Sequence, residues 1–346
     1  MSKSIQKLRC SGYGLFKILG LTLCVMAGIP LTHAASAEES TSTLHYSNSI
    51  KPDRLILLDI IRSGQQLFAV GEMGVIMRSE DEGQHWQITR TSNRRTFTGI
   101  AFSDDKTGVA VGHGGSIFRS EDAGKTWQPI VFADIGKDTV MGVLSLGNQH
   151  MIAWGAFGMY IESQDAGKTW ERRKVISEDF DRHISKIVKA QDYLLLVGES
   201  GTLARSADQG KTWQKLESGY TGSFFGGLAT PKGAWLIYGM RGNIYRSSNH
   251  GDTWQHIEIA GKTGLMGGTL LKDGTVALCG NNGLWMLSKD DGLSFKGART
   301  KNGADLAAII PAQQADKIIA VGLRGVSPML ETASVQFSLN TPAKKN

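Results

Sequence analysis

The chain has 346 residues, of which 41% are hydrophobic and 20% charged, a composition that allows a folded core and excludes wholesale disorder. The formal charge is +6, but Lys3, Lys7, Arg9 and Lys17 precede the first acid at Glu38, and without these four charges the chain carries only +2. No basic stripe or known nucleic-acid-binding motif is found, so nucleic-acid binding has no support. The 43 glycines follow no collagen period and indicate many tight turns.

The N-terminus has the pattern of a secretory signal peptide. A basic start is followed by an apolar run over residues 18–31 and by the small residues THAASA. We predict a signal peptide over residues 1–34, with cleavage as late as residue 37 as an alternative. A lipoprotein signal at Cys24 is disfavoured because Leu23 stands where a small residue is expected, and an uncleaved anchor is disfavoured because the run is short for a membrane span. We expect a periplasmic protein, or a thylakoid-lumen protein in a photosynthetic host.

The cysteines exclude an internal disulfide in the exported chain. Cys10 and Cys24 belong to the predicted signal, which leaves Cys279 alone. Cys279 takes the place of valine in a repeated Val-Gly step, so we interpret it as a buried small hydrophobe and not as a nucleophile. Stability must then come from packing.

One sequence unit recurs along the chain. Apolar or β-branched runs joined by two-residue turns between glycines, as in LFAVGEMGVIMRS, indicate strand pairs, and no long stretch has helical periodicity. The Val-Gly step recurs every 41 to 43 residues, at Gly71, Gly112, Gly155, Gly198, Gly239, Gly280 and Gly322. Seven copies at this period predict an all-β fold, a single seven-bladed β-propeller over residues 53–340, with a flexible tail over residues 341–346.

The first six copies continue into the pattern S-x-D-x-G-x-[ST]-W, known as the Asp-box, with Asn for Asp in the fifth and Phe for Trp in the sixth. The Asp side chain accepts hydrogen bonds from backbone N–H groups of its own turn, the Gly supplies a positive φ, and the Trp packs on the sheet. A motif used this often is architecture, so we predict that it closes the outer hairpin of each blade. The residues with this structural role are Asp81, Trp86, Asp122, Trp127, Asp165, Trp170, Asp208, Trp213, Asn249, Trp254, Asp290 and Phe295.

The seventh copy, VGLRGVSPMLETAS, lacks the box, so the outer strand of the last blade must come from another segment. One candidate is STLHYSNSI, within the N-terminal segment 35–52, which would join the two ends of the chain. The other is SVQFSL near the C-terminus. The sequence does not choose between them.

The sequence shows no catalytic motif. A sialidase needs an arginine cluster, a tyrosine nucleophile with its glutamate, and a further acid, but the early Arg-Ile-Pro element is missing. Arg78, Arg119, Arg205 and Arg246 recur in register before the box serine, which predicts a bracing role. The eight histidines lack metal-ligand spacing, and no cofactor fingerprint is found. We predict no catalytic residue, no metal and no cofactor, with an Asp-box glycosidase and a carbohydrate-binding module as alternatives.

Partner contacts are expected where the turns between the second and third strands meet the crossovers between blades. The turn pairs vary from blade to blade, so specificity can reside there; they are Glu72–Met73, His113–Gly114, Ala156–Phe157, Glu199–Ser200, Met240–Arg241, Asn281–Asn282 and Leu323–Arg324. The crossovers add arginines and aromatics, which are typical of interface anchors, although ordinary solvated loops are the alternative. The candidates are Arg94, Arg95, Arg182, His183, Tyr220, Phe224, Phe225, Arg241, Arg299 and Arg324.

The combined unit V-G-x-x-G-x-x-x-R-S-x-D-x-G-x-T-W, repeated over residues 55–330, resembles the Ycf48/Hcf136 family. The resemblance implies a non-enzymatic assembly or stability factor, known from photosystem II biogenesis, that uses an arginine-rich patch for partner contact. Arg324, Arg241 and the crossover arginines are the nearest candidates for that patch. We therefore expect a monomeric exported propeller that binds a membrane protein complex or its subunits, with a photosystem or a transporter as client, and no nucleic acid or metal as partner.

Overall fold

The computed structural model describes residues 44–45 and 52–335. The regular elements of these residues are 29 strands and short 3₁₀ turns. Within this part of the chain no helix has the length and apolar character needed to cross a membrane. The strands form seven antiparallel sheets, which confirms the predicted all-β, seven-bladed propeller. The predicted signal peptide (1–34) and tail (341–346) lie outside the described residues.

Each blade is a meander from an inner strand to an outer strand. The inner strands are β2 (Leu57–Ser63), β6 (Phe97–Phe102), β10 (Val140–Gly147), β14 (Ile184–Ala190), β18 (Phe224–Ala229), β22 (Leu265–Leu270) and β26 (Leu306–Pro311). The second strands are β3 (Gln66–Gly71), β7 (Gly108–Gly112), β11 (His150–Gly155), β15 (Tyr193–Gly198), β19 (Trp235–Gly239), β23 (Val276–Gly280) and β27 (Lys317–Gly322).

The outer half of each blade is made of shorter strands. The third strands are β4 (Val75–Ser79), β8 (Ser116–Ser120), β12 (Tyr160–Ser163), β16 (Leu203–Ser206), β20 (Ile244–Ser247) and β24 (Leu284–Ser288). The outer strands are β5 (Gln87–Arg90), β9 (Gln128–Pro129), β13 (Glu171–Arg172), β17 (Gln214–Lys215), β21 (Gln255–Ile257) and β25 (Lys296–Arg299). The 3₁₀ turns are Pro52–Arg54, Glu72–Gly74, His113–Gly115, Ala133–Ile135, Glu199–Gly201, Met240–Gly242, Asn281–Gly283 and Thr332–Ser334.

The seventh blade departs from this pattern. Its third position is divided between β28 (Gly325–Val326) and β29 (Leu330–Glu331), both of which pair with β27. The described part of the N-terminal segment, β1 (Leu44–His45), pairs with β5 of the first blade and extends that sheet to five strands. The C-terminal candidate for the closing strand lies outside the described residues from residue 336 onward.

The first and seventh blades pack directly against each other and close the ring. Leu57 and Ile60 of β2 share one hydrophobic cluster with Ile319 and Val321 of β27. Second strands such as β3 and β19 are almost entirely buried, because the neighbouring blades cover both of their faces. This explains why they are nearly continuous apolar runs without the alternation of a half-exposed strand.

The Val-Gly glycine is needed at the same place in every blade because the chain approaches it closely. A Cβ on Gly155 would lie 2.1 Å from the carbonyl oxygen of Thr139, just before the inner strand of that blade. The corresponding distances at Gly71, Gly112, Gly198, Gly239, Gly280 and Gly322 are 2.0 to 2.4 Å. No real Cβ tolerates such a contact with backbone, so only glycine fits these positions.

The box closes the outer hairpins through one repeated set of hydrogen bonds. In the second box, Ser120 Oγ donates to Asp122 Oδ1 at 2.8 Å and accepts the Gly124 N–H at 3.0 Å, while Asp122 accepts the Thr126 N–H and hydroxyl. Trp127 Nε1 donates to the Gly124 carbonyl at 3.1 Å. In the fifth box Asn249 keeps the acceptor at 3.0 Å from the Thr253 N–H. These contacts match the predicted structural role.

Three of the four recurring arginines brace neighbouring blades, whereas Arg78 donates to Glu80 and Gln87 of its own blade. Arg119 Nε donates to the Ala166 carbonyl at 2.8 Å, and Arg246 Nε donates to the Asp291 carbonyl at 2.8 Å. Arg205 donates to the His250 carbonyl at the same box position of the next blade, again at 2.8 Å. They do not converge on one point, as the arginines of a sialidase site would.

Candidate partner-binding face

The turns between second and third strands and the crossovers between blades lie on one face of the ring, which we name the turn face. Each inner strand begins on this face and each second strand ends there, as the pairing of Leu57 with Gly71 shows. The Glu72 N–H donates to the Ile56 carbonyl at 2.9 Å and fixes the turn on the start of the inner strand. Rigid strands therefore present variable turn residues in a ring.

Exposed apolar side chains occur in the turns of alternate blades. Met73 of blade 1 is 44% exposed, Phe157 of blade 3 is 58%, Met240 of blade 5 is 38% and Leu323 of blade 7 is 51%. The equivalent turns of blades 2, 4 and 6 carry only polar residues and glycine: His113–Gly114, Glu199–Ser200 and Asn281–Asn282. Large apolar side chains held in solvent at regular places indicate a contact surface.

The backbone holds some of these side chains in an unfavourable conformation. Met73, Phe157 and Arg241 adopt φ values of 59°, 55° and 58°, in the left-handed region. That region costs a residue with a Cβ roughly 1–2 kcal/mol. Glycine would relieve the cost, so bulky residues at these positions point to a use on the surface.

Three of the predicted arginines project freely from the turn face. Arg94, Arg241 and Arg324 are exposed, and within the described residues their side chains have no hydrogen-bond or ion-pair partner. Arg241 and Arg324 directly follow the exposed Met240 and Leu323 in their turns.

The other predicted arginines are tied to the turns. Arg95 donates to the Gly114 carbonyl at 2.6 Å, Arg299 to the Asn282 carbonyl at 2.7 Å, and Arg182 to the Ser200 carbonyl at 3.4 Å. All three remain exposed.

Several carboxylates of the turn face are engaged with the backbone. Glu72 accepts the Ile56 N–H at 3.0 Å, Glu199 accepts the His183 N–H at 3.2 Å, and Asp305 accepts the Asn282 N–H at 2.6 Å. Asp179 and Asp181 are exposed beside blade 4. Exposed guanidinium groups lie on blades 5, 6, 7 and 1, through Arg241, Arg299, Arg324 and Arg94.

His183 supports the exposed ring of Phe157. Its Nδ1 accepts the Phe157 N–H at 3.1 Å, and the two rings meet edge to face with centroids 5.0 Å apart. Acceptance of this N–H requires an imidazole with an unprotonated Nδ1. His183 therefore orients Phe157 and is itself less available for contact with a partner.

The three predicted aromatics lie at different depths. The prediction that Phe224 is exposed is wrong, because it begins the inner strand of blade 5 and is fully buried. Tyr220 is half-buried against Phe224 and accepts the Asn243 side-chain N–H at 3.1 Å. Phe225 lines the axial channel and not the outer surface. Met73, Met240 and Leu323 lie in turn pairs predicted to carry specificity, but only Arg241 and Arg324 of these pairs are in the list of candidates. An apolar residue inside a G-x-x-G turn is the signal that identifies the others.

A groove of about 590 Å³ lies beside Arg182 on blade 4. It runs between the crossover 176–182 and the segment 215–221, and Tyr220 and Ser200 contribute to its wall. Ile176 adopts φ 64° at its edge, a rare conformation for a β-branched residue. The groove is large enough for a side chain of a bound polypeptide.

Among the described residues, the axial channel carries one carboxylate, and backbone N–H groups bind it. Of the described residues that line the axial channel, Asp59 is the only acid, and its two carboxylate oxygens accept the Ile60 and Ile100 N–H groups. No group of three or more His, Cys, Asp or Glu side chains in the described part of the chain could hold a metal ion.

The fold is shared with several solved propellers. A structure of YCF48 bound to D1 peptide superposes with a TM-score of 0.65 at 16% identity, covering 84% of this chain and 98% of that one. YCF48 from Cyanidioschyzon merolae gives 0.65 at 17% identity, with 82% and 98% covered. Virginiamycin B lyase from Staphylococcus aureus gives 0.69 at 10% identity, with 82% and 96% covered. Similarity at these identities establishes the fold alone.

Sequence comparison gives the family. No curated protein matches the chain. The profile of the family described as photosynthesis system II assembly factor YCF48 matches residues 86–172 and 137–269, which together make up more than half of the chain. The matched segments contain four complete boxes, Trp86 at the end of the first box, and four of the seven Val-Gly steps. The chain belongs to the YCF48 family of photosystem II assembly factors.

Proposed function

We propose that this protein is a non-catalytic assembly or stability factor that binds a polypeptide subunit of a membrane protein complex through the turn face. The observation that carries the proposal is the pairing of exposed apolar and arginine side chains in the turns of blades 5 and 7, repeated by Met73 with Arg94 at blade 1. Arginine beside large apolar groups is the composition of residues that dominate protein–protein binding.

The chemistry of the face defines the partner. Free guanidinium groups favour carboxylates, with which they form bidentate hydrogen bonds, and the exposed Met and Leu side chains favour apolar residues between those carboxylates. The complementary partner is a segment with acidic and apolar residues on one side. Charge attraction speeds its approach, and burial of the apolar side chains holds it.

The family supports one class of client. One related structure is of YCF48 bound to D1 peptide, and on that basis a photosystem subunit is the proposed client in a photosynthetic host. In another host the same face would serve a different membrane complex, such as a transporter. The N-terminal sequence pattern supports export, so the proposed location is the periplasm or the thylakoid lumen.

Crosslinking in native cells followed by mass spectrometry tests the proposal. Wild type is compared with the triple variant Arg94→Ala, Arg241→Ala, Arg324→Ala. The matched control removes three exposed lysines of the boxes on the opposite face, Lys125, Lys168 and Lys211. We expect crosslinks to one integral membrane protein that are lost in the arginine variant and kept in the lysine variant. Crosslinks that survive the arginine variant, or no protein partner at all, would contradict the proposal.

A further inference from the structure

The axis of the propeller holds a channel of about 630 Å³ that partner binding at the turn face does not use. Every inner strand has a β-bulge at the same place, near its start on the turn face. The seven bulged residues line the mouth of the channel, and we name them the collar: Leu58, Thr98, Met141, Ser185, Phe225, Met266 and Ala307. Five of the seven are apolar, and Met266 is 39% exposed, so this mouth opens to solvent.

The next position along each inner strand forms a second level of the channel. At this level the seven residues are Asp59, Gly99, Gly142, Lys186, Gly226, Gly267 and Ala308, each paired with the residue before the Val-Gly glycine. Neighbouring inner strands approach closely here: a Cβ on Gly99 would lie 3.0 Å from Gly142 Cα, and a Cβ on Gly267 2.7 Å from the Ala307 carbonyl. The only long side chains at this level are therefore one acid, from blade 1, and one base, from blade 4.

Tyr238 brings a third polar group to the same level from the second strand of blade 5. Its side chain is almost completely buried, and its hydroxyl lies beside two glycines, since a Cβ on Gly226 or Gly268 would be 2.5 or 2.7 Å from it. Tyr238 lines the channel, and its hydroxyl has no hydrogen bond to any described residue. The missing side chains at Gly226 and Gly268 leave the space in which a hydroxyl from the second strand reaches the axis.

Asp59 and Lys186 influence each other without touching. Burial raises the pKa of Asp59, and the positive charge of Lys186 partly offsets this. Within the described residues Lys186 forms no ion pair and no hydrogen bond, and it is half-buried. Each oxygen of Asp59 accepts one backbone N–H, at 3.0 and 3.2 Å, which leaves each with a free lone pair. The channel thus holds a separated acid and base with unused hydrogen-bonding capacity.

We propose that the axial channel binds a small zwitterion with an apolar side chain, namely an apolar α-amino acid or a short peptide. The ammonium group binds Asp59, the carboxylate binds Lys186 and the Tyr238 hydroxyl, and the apolar side chain packs in the collar. A zwitterion matches the acid and the base of this level without adding net charge, whereas a simple anion would meet Asp59. The channel opens on the turn face through the collar, but Asp59, Lys186 and Tyr238 lie at the second level and not in the turns, so titration of the isolated protein tests this site independently of the proposed partner.

The test is isothermal titration calorimetry of the intact exported protein with L-leucine, L-phenylalanine and the dipeptide Leu-Leu. N-acetyl-L-leucine lacks the ammonium charge and L-leucinamide lacks the carboxylate, so the two report separately on Asp59 and Lys186. We expect binding of at least one zwitterion and an affinity about 10-fold lower for both blocked compounds, since a hydrogen bond to a charged group is lost in each. A higher affinity for the amino acid or for the dipeptide shows which of the two kinds of zwitterion the channel binds.

Variants locate the site. Lys186→Met should weaken binding about 10-fold and Tyr238→Phe about 5-fold, because each removes one contact to the carboxylate. Lys232→Met is the control: Lys232 is exposed and is not among the residues that line the channel, and its replacement should change affinity less than 2-fold. Circular dichroism checks that each variant is folded. Two results would overturn the proposal. One is that no zwitterion binds at concentrations up to about 10 mM. The other is that Lys186→Met and Tyr238→Phe leave the affinity unchanged.

Discussion

Glu82 and Gln313 join the first and last blades: Glu82 Oε2 accepts the Gln313 backbone N–H at 2.8 Å. Arg62 pairs with the same carboxylate and donates to the Pro311 carbonyl at 3.2 Å. In blades 2, 4 and 5 an arginine before the box donates to the carbonyl of the next box, as Arg246 does to Asp291. The seventh blade lacks both box and arginine, so a carboxylate from the first box makes the connection in the opposite direction.

The contact of Glu82 with the last blade predicts that Glu82→Ala destabilises the protein. Alanine occupies the same box position at Ala123 and Ala166 with φ of 60° and 56°, close to the 59° of Glu82, so the backbone tolerates the change. The variant leaves Arg62 and the Gln313 N–H without their partner, and we expect a loss of about 1–2 kcal/mol in the free energy of unfolding. Urea unfolding at pH 7 measures it. Gln209→Ala, at the same box position but exposed and unbonded, should change stability by less than about 0.5 kcal/mol.

The boxes predict a specific acid sensitivity. Burial alone would raise the pKa of Asp208, but hydrogen bonds from Thr212, Ser206 and the Lys211 N–H outweigh it and lower the pKa to about 2. A carboxyl whose pKa is lower in the folded than in the unfolded state stabilises the fold above its unfolded pKa, near 4. That stabilisation is lost as the pH falls from about 4 to about 2.

Asp208→Asn tests the sign of this pH dependence. The substitution is compatible with the box, because the fifth box already has Asn249 at this position. We expect the urea midpoint of Asp208→Asn to be lower than that of wild type at pH 7, and the difference to shrink at pH 2.5 (roughly midway through the loss). The measurement is a pair of urea unfolding curves at each pH. An equal difference at both pH values would show that Asp208 acts through its shape and not through its charge.

The Val-Gly step predicts intolerance to the smallest side chain. Gly155→Ala places a Cβ 2.1 Å from the Thr139 carbonyl oxygen, and both atoms belong to packed backbone. We expect a loss of about 3 kcal/mol or more, the upper range for overpacking. The control is Gly303→Ala, where the Cβ meets nothing within 4 Å and the φ of 62° is unfavourable, so it should cost about 1–2 kcal/mol. Thermal and urea unfolding of both variants decide this.

The repeat allowed the fold to be predicted, because a period of 41 to 43 residues with glycine-bounded turns is a property of the chain and not of its environment. The burial of individual side chains was harder to predict. The sequence around Phe224 has the composition of a loop, but Phe224 begins an inner strand, because the crossover already ends at Ser223. Lys186 and Asp59 were missed for another reason: only alignment of the seven inner strands shows that glycine or alanine occupies their level elsewhere. The ring closure includes a contact between residues 82 and 313, which no local pattern reveals.

The conformation of the turns predicts that the partner-binding face is maintained at a cost in stability. Met73 and Ser200 hold the same turn position with φ of 59° and 52°, but Met73 belongs to an apolar turn and Ser200 to a polar one. Replacing either with glycine relieves the left-handed strain, and we expect both variants to gain about 0.5–1 kcal/mol in unfolding free energy. Only Met73→Gly removes an exposed apolar side chain, so only this variant should lose crosslinks to the membrane partner. Equal loss of crosslinks in both variants would show that the rigidity of the turn, and not the methionine side chain, governs binding. Unchanged crosslinks in Met73→Gly would show that blade 1 is not part of the proposed contact.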